Sequence, residues 1–114
     1  MKRALFIGRW QPLHPGHQWL FNQKLEQGIP ILIAVRDTPV NDSNPFTTED
    51  VIASLEEEYC DEVKEGLVHV ISIPDIESVN YGRGVGYEIN EFVPPKEVGK
   101  ISATDIRKKL KKDG

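Results

Sequence analysis

The sequence contains little cysteine and no long apolar run. Cys60 is its one cysteine, so no disulfide can form within the 114-residue chain. The longest uninterrupted apolar run, residues 31–35, is far shorter than the about 20 residues that a membrane-spanning helix needs. The apolar stretch after Met1, Lys2 and Arg3 is too short for a signal peptide. We therefore expect a cytoplasmic protein without a membrane partner.

An excess of positive charge is also lacking. The chain has 14 Lys and Arg residues against 18 Asp and Glu residues, and its formal charge is −4. Proteins that coat nucleic acid are usually basic, so this balance argues against a nucleic-acid partner. The 39% of hydrophobic and 28% of charged residues are ordinary for a soluble protein of one domain, here residues 1–114.

Predicted strands alternate with predicted helices along the chain. Four apolar segments have the length of strands: residues 4–7, 31–35, 67–73 and 87–93. Three segments have helical spacing and helix boundaries: residues 15–26, 48–59 and 103–112. Continuously apolar strands are typical of a parallel sheet covered on both faces. We expect an α/β fold, a Rossmann-like three-layer sandwich with a mostly parallel sheet of about four to five strands.

A polar, glycine-containing segment follows the first predicted strand. It reads Gly8-Arg9-Trp10-Gln11-Pro12-Leu13-His14-Pro15-Gly16-His17. Ligands of open parallel sheets bind where the strands end, and a helix N-terminus favours an anion. A metal site is disfavoured because no further Cys, His or carboxylate lies close by in the sequence. Ordinary surface residues at a helix start are the other alternative. Phosphate ligands fit best, since imidazole N–H groups and an arginine bind phosphate oxygens.

Two motifs resemble signatures of one superfamily. The H-x-G-H of His14 to His17, after a G-R-x-Q-P opening, resembles that of the nucleotidyltransferases with the cytidylyltransferase-like fold. Residues 101–107, Ile-Ser-Ala-Thr-Asp-Ile-Arg, resemble the I-S-x-T-x-x-R motif of the same superfamily. Ser102 and Asp105 also have the spacing of a capping box, so a capped helix without a ligand is the alternative. The resemblance implies that two helix N-termini face one triphosphate.

The resemblance assigns functions to individual residues. The implied catalytic residues are His14, His17 and Arg107. The implied nucleotide-binding residues are Gly8, Arg9, Trp10, Gln11, Gly16, Ile101, Ser102 and Thr104. The resemblance further implies that the nucleotide is ATP or another nucleoside triphosphate, and that Mg²⁺ bridges its phosphates without a ligand set of protein residues.

Two further segments resemble one branch of this superfamily. Residues 44–47, Asn-Pro-Phe-Thr, resemble the N-P-F-T segment of nicotinamide-mononucleotide adenylyltransferases, in particular the archaeal type, and residues 73–80 resemble the segment after the third strand. The acceptor-binding candidates near these segments and at the end of the second strand are Arg36, Asp37, Asn44, Phe46, Asp75, Asn80 and Tyr81. The residues themselves leave alternatives open: Arg36 can pair with Asp37, Asp75 can close a turn, and Phe46 can pack.

The implied reaction transfers a nucleoside monophosphate to a small phosphorylated acceptor and releases pyrophosphate. An adenylyltransferase is the first hypothesis. A cytidylyltransferase acting on a polyol or amino-alcohol phosphate and a nucleotide-binding module without transfer activity are the alternatives. Only residues 81–100 occupy the place where the relatives carry a further strand and helix. We therefore expect a minimal enzyme with an open, altered or partner-completed acceptor site, and a homo-oligomer that protects the sheet edge.

Overall fold

Strands and helices alternate along residues 2–84 and 86–94, which the computed structural model describes. In chain order the elements are β1 (Ala4–Gly8), α1 (Pro15–Leu25), β2 (Ile31–Asp37), α2 (Thr48–Glu58), α3 (Cys60–Lys64) and β3 (Val68–Pro74). The predicted strands and helices in this part of the chain are confirmed, apart from the one over residues 87–93. The predicted helix over residues 103–112 lies outside the described residues.

The three strands form a parallel sheet in the order β1-β2-β3. Parallel crossovers are almost always right-handed, and the strand order runs in one direction, so α1 and α2 lie on the same face of the sheet. The buried cluster contains Phe6 and Ile33, which are register partners, together with Phe21 of α1 and Leu55 of α2. This arrangement confirms the Rossmann-like α/β fold and places the core under two helices.

The opposite face of the sheet is apolar and partly exposed. Leu5 pairs in register with Leu32, and Ile7 pairs with Ala34, which in turn faces Ile71. Leu5 keeps 56% of its surface exposed, whereas Ala34 is buried. Neither α1 nor α2 covers this face, because both pack on the other one.

The predicted strand over residues 87–93 does not form. Residues 86–94 contain no strand, and Tyr87, Ile89 and Val93 expose most of their surface. The left-handed backbone at Gly84 and Gly86 turns the chain just before this segment. Apolar and polar side chains alternate along residues 87–93, but this segment has no neighbouring strand to pair with among the described residues. The sheet in this part of the chain therefore has three strands rather than the predicted four to five.

Local contacts fix the ends of the elements. Thr47 caps α2, because its hydroxyl accepts a hydrogen bond from the N–H of Asp50 at 3.1 Å. Gly28 lies three residues after the last residue of α1, where its φ of 75° turns the chain and its N–H donates to the carbonyl of Leu25 at 2.9 Å. The Arg3 guanidinium donates to the carbonyls of Ile31 and Gly66 and so ties the starts of the strands together. Among the described residues, no helix has the length and apolar character needed to cross a bilayer.

Truncation of Leu55 to alanine tests the position of the core. Leu55 is 0% exposed, so Leu55→Ala is expected to lower the free energy of unfolding by about 2–5 kcal/mol. Leu5→Ala is the matched control, because the same side chain is 56% exposed there, and we expect a loss of less than about 1 kcal/mol. Urea denaturation measures both, and equal losses would contradict the assignment of the core to one face.

Candidate functional site

The loop between β1 and α1 is anchored by Trp10. The indole is only 6% exposed, and its N–H donates to the carbonyl of Ala34 at 3.2 Å. Its ring packs edge to face against Phe21 at 4.9 Å and against His17 at 4.8 Å between ring centroids. The backbone of Trp10 has a φ of 51°, a left-handed conformation that is uncommon outside glycine. The buried indole therefore holds the loop at the carboxyl end of the sheet.

Gly8 makes room for this indole. A Cβ atom at Gly8 would lie 2.9 Å from two ring carbons of Trp10, which is closer than real carbon atoms approach. The sequence placed both residues in the nucleotide site. In the structure Gly8 and Trp10 pack against each other, and the one polar side-chain atom of Trp10 is bonded to β2. The sequence pattern that indicates this packing is a glycine at the end of a strand, two residues before a tryptophan.

His14 is the N-cap of α1. Its Nδ1 accepts a hydrogen bond from the N–H of Gly16 at 3.0 Å, and Pro15 occupies the first helical position. An imidazole nitrogen that accepts a hydrogen bond carries no proton, so the neutral ring has its proton on Nε2. Gly16 is buried in the first helical turn. The cap therefore determines both the orientation and the tautomer of His14.

His17 lies in the first turn of α1 and stacks on His14. The two ring centroids are 3.7 Å apart, and the ring planes differ by 25°. Burial, together with the smaller effect of the neighbouring His14, lowers the pKa of His17 to about 3. Its Nδ1 is buried and has no hydrogen-bond partner among the described residues. The site thus contains two adjacent imidazoles, of which His17 is neutral at pH 7.

Two side chains connect this loop to the loop before α2. The Gln11 amide donates to the carbonyl of Phe46 at 2.9 Å and accepts from the N–H of Phe46 at 3.0 Å. The Arg9 guanidinium donates to the side-chain oxygen of Asn44 at 3.3 Å. Predicted nucleotide-binding residues therefore contact predicted acceptor-binding residues directly.

Phe46 packs against the core rather than standing free at the sheet edge. Together with Trp10 and Leu13 it lines a cleft of about 50 Å³. A space of this size holds a few water molecules at most. This position agrees with the alternative that Phe46 packs against the core instead of binding the acceptor.

Arg36 and Asp75 form an ion pair at the ends of β2 and β3. The Nη2 and Nε atoms of Arg36 lie 2.6 Å and 3.1 Å from one carboxylate oxygen of Asp75. The expected alternative was a pair between Arg36 and Asp37, but Asp37 accepts instead from the hydroxyl of Thr48 at 2.7 Å. Successive side chains of a strand point to opposite faces, which separates Arg36 from Asp37.

The remaining predicted residues lie apart from this cluster or outside the described residues. Asn80 donates to the hydroxyl of Ser78 at 2.9 Å, and Tyr81 is 63% exposed on the segment after β3. The second motif falls wholly outside the described residues, namely Ile101, Ser102, Thr104 and Arg107.

Thr38 is a further candidate site residue, which the sequence motifs do not indicate. It follows β2 directly, and its hydroxyl is buried without a hydrogen-bond partner among the described residues. Buried hydroxyls are usually paired, so this position at the sheet end suits a polar ligand atom. In the sequence, its position directly after the candidates Arg36 and Asp37 is the feature that points to it.

The depressed pKa of His17 predicts a pH dependence of stability. The unfolded chain protonates His17 near pH 6.5, whereas the folded chain resists protonation until about pH 3. The stabilising contribution is therefore complete above pH 6.5 and is lost progressively as the pH falls toward 3. We expect the free energy of unfolding of the wild type to fall more steeply than that of His17→Asn between pH 6.5 and 4, by at most about 1.4 kcal/mol per pH unit. Parallel slopes in urea titrations would contradict the burial of a neutral ring.

Comparison with known proteins gives relatives of a single kind. No protein-family model matches the chain. The nicotinamide-nucleotide adenylyltransferase of Caldivirga maquilingensis is 30% identical over 121 aligned positions, which cover 100% of the chain and 64% of that protein. The enzyme of the same name from Thermococcus kodakarensis is 34% identical over 82 positions, 67% of the chain and 42% of that protein. That from Pyrobaculum neutrophilum is 33% identical over 101 positions, 86% of the chain and 55% of that protein.

These similarities agree with the motifs and with the fold. The chain spans less than two thirds of the length of each of these relatives. The resemblance deduced from the sequence is confirmed by seven matches that all carry the same name. The chain is thus similar in sequence to archaeal nicotinamide-nucleotide adenylyltransferases over its whole length.

Proposed function

We propose that residues 1–114 form one nucleotidyltransferase domain that transfers an adenylyl group from ATP to a small phosphorylated acceptor and releases pyrophosphate. The observation that carries the proposal is the stacked pair of His14 and His17 at the N-terminus of α1, where β1 has just ended. Helix N-termini at the carboxyl end of a parallel sheet are suited to phosphate groups. The names of the relatives support adenylyl transfer over cytidylyl transfer.

The chemistry needs no nucleophile from the protein. An acceptor phosphate oxygen attacks the α-phosphorus of ATP, a new phosphorus–oxygen bond forms, and the bond to pyrophosphate breaks. The Nε2–H of His14 would donate to a phosphate oxygen whose negative charge increases during the reaction. His17 is neutral at pH 7 and would act as a hydrogen-bond donor rather than as a cation. Preorganised donors of this kind lower the barrier without moving a proton to the protein.

The nucleotide contacts are proposed in two groups. Arg9, Gly16 and the backbone around Gly8 would face the triphosphate from the first loop. Ile101, Ser102, Thr104 and Arg107 would hold its β- and γ-phosphates. Mg²⁺ would arrive with ATP and bridge its phosphates, largely through substrate oxygens and water.

The acceptor would bind at the ends of β2 and β3. The relatives' name makes nicotinamide mononucleotide the first acceptor to test. Arg36 and Asp75 already bind each other there, so an acceptor phosphate would compete with Asp75 for the guanidinium. The other proposed acceptor contacts are Asp37, Asn44, Phe46, Asn80 and Tyr81.

Three further properties belong to the same proposal. The protein would act in the cytoplasm, where its small phosphorylated substrates are found. It would form a homo-oligomer, since β1 and β3 each have one side without a neighbouring strand among the described residues. Nucleic acid and membranes are not proposed as partners.

Substitution of His14 separates its capping function from its chemical one. Asparagine is a good N-cap, so His14→Asn is expected to keep the free energy of unfolding within about 0.5 kcal/mol, whereas His14→Ala loses about 1 kcal/mol. Both variants lack the imidazole, and we expect each to release pyrophosphate about 100- to 1,000-fold more slowly than the wild type. Wild-type turnover in His14→Asn would contradict a catalytic function for His14.

The nucleotide and the reaction are tested together. Thermal shifts with Mg²⁺ and each of ATP, CTP, GTP and UTP should show the largest stabilisation with ATP. Pyrophosphate release with ATP and nicotinamide mononucleotide should then follow. Preferential stabilisation by CTP would support the cytidylyltransferase, and binding without pyrophosphate release with any phosphorylated acceptor would support the binding module.

A further inference from the structure

Gln11 joins two loops through both backbone polar groups of one residue, Phe46. The side chain of Gln11 is only 2% exposed, although it belongs to a loop at the end of the sheet. The carboxamide donates to the carbonyl and accepts from the N–H of the same residue, Phe46, at 2.9 Å and 3.0 Å. This paired exchange is the pattern that two backbone residues form in a sheet ladder. The glutamine side chain therefore substitutes for a strand neighbour.

The partner loop is itself held in one shape. The side-chain oxygen of Asn41 accepts from the backbone N–H groups of Ser43 and Asn44, both at 2.9 Å. The backbones of Asn41 and Asn44 also exchange hydrogen bonds in both directions, at 2.9 Å and 3.1 Å. Thr47 then begins α2 as its N-cap. A contact that fixes Phe46 consequently fixes residues 41–47, which we name the acceptor loop.

Both connections between the loops start two residues apart. Arg9 reaches the side-chain oxygen of Asn44 at 3.3 Å, while Gln11 reaches the backbone of Phe46. Two attachment points of this kind restrict both the distance and the rotation between the loops. The Gln11 contact is the more specific one, because a slip of the acceptor loop by one residue would break both of its hydrogen bonds.

We propose that Gln11 is a positioning residue that holds the acceptor loop at a fixed distance from His14 and His17. A positioning function replaces the expected nucleotide contact of Gln11, because the Gln11 amide is buried and bonded to Phe46. The proposal rests on the proposed function, since the distance it maintains is that between acceptor and α-phosphate. A misplacement of about 1 Å can slow such reactions about 100-fold.

Three substitutions test this assignment. Gln11→Met preserves the length of the side chain and its packing but removes both hydrogen bonds. Gln11→Glu retains an oxygen that accepts from the N–H of Phe46. Gln18→Ala is the control, since Gln18 lies on α1 and its amide bonds only the exposed carboxylate of Glu58 in the part of the chain described.

Hydrogen exchange of the Phe46 amide measures the contact between Gln11 and Phe46 without an activity assay. We expect exchange in Gln11→Met to be about tenfold faster than in the wild type, as for the loss of one buried hydrogen bond. Gln11→Glu and Gln18→Ala should keep the amide protected, and the amide of Ile33 in β2 should be unchanged in all variants. Unchanged Phe46 exchange in Gln11→Met would overturn the proposal.

Kinetics distinguish positioning from ligand binding. In Gln11→Met we expect KM for the acceptor to rise or kcat to fall about tenfold, while the Kd for ATP with Mg²⁺ changes by less than about twofold. A rise in the Kd for ATP with unchanged acceptor kinetics would make Gln11 a nucleotide ligand and overturn the proposal. If the wild type releases no pyrophosphate, the proposed function fails and the catalytic part of this proposal fails with it. Exchange at Phe46 then shows whether the contact itself exists.

Discussion

The burial of the Trp10 indole is the constraint on which the arrangement of the site depends. The ring lies between the carbonyl of Ala34, the ring of Phe21 and the edge of His17, so it links the sheet, the core and the candidate site. The loop accepts a left-handed backbone at this residue to place the ring there. Such a backbone conformation costs of order 1–3 kcal/mol, which the buried aromatic surface offsets. A flexible loop after β1 would not hold two imidazoles 3.7 Å apart.

Burial also determines the electrostatic character of the site. Two protonated imidazoles at stacking distance would repel each other, and desolvation removes this conflict by keeping His17 neutral. His14 is oriented differently, by donation from the N–H of Gly16 to its Nδ1. One ring is thus controlled by its surroundings and the other by a helix cap. Because of the burial of His17 and the capping hydrogen bond of His14, the two imidazoles can offer a ligand hydrogen bonds rather than positive charge.

The sequence predicts the periodic parts of this protein well and its connections less well. Continuous apolar runs and helix boundaries sufficed for the three strands and two main helices, because burial on a parallel sheet leaves a clear pattern. The same reasoning failed at residues 87–93, where alternating side chains had no strand to pair with in the part of the chain that the structure describes. At the site, the motif located His14 and His17 but not the bridges from Gln11 to Phe46 and from Arg36 to Asp75. Those contacts join residues about 35 to 39 positions apart, and only the fold brings them together.

The contact between Gly8 and Trp10 has a consequence for how this loop can change over evolutionary time. Since a Cβ at Gly8 would collide with the indole, the two positions cannot vary independently. A replacement of Gly8 becomes acceptable only after Trp10 has become smaller, and that first step removes the anchor beneath His17. Intermediates along either route are destabilised, so the pair is expected to persist through neutral drift as a unit. The shape of the neighbouring ring is therefore by itself a sufficient reason to retain this glycine.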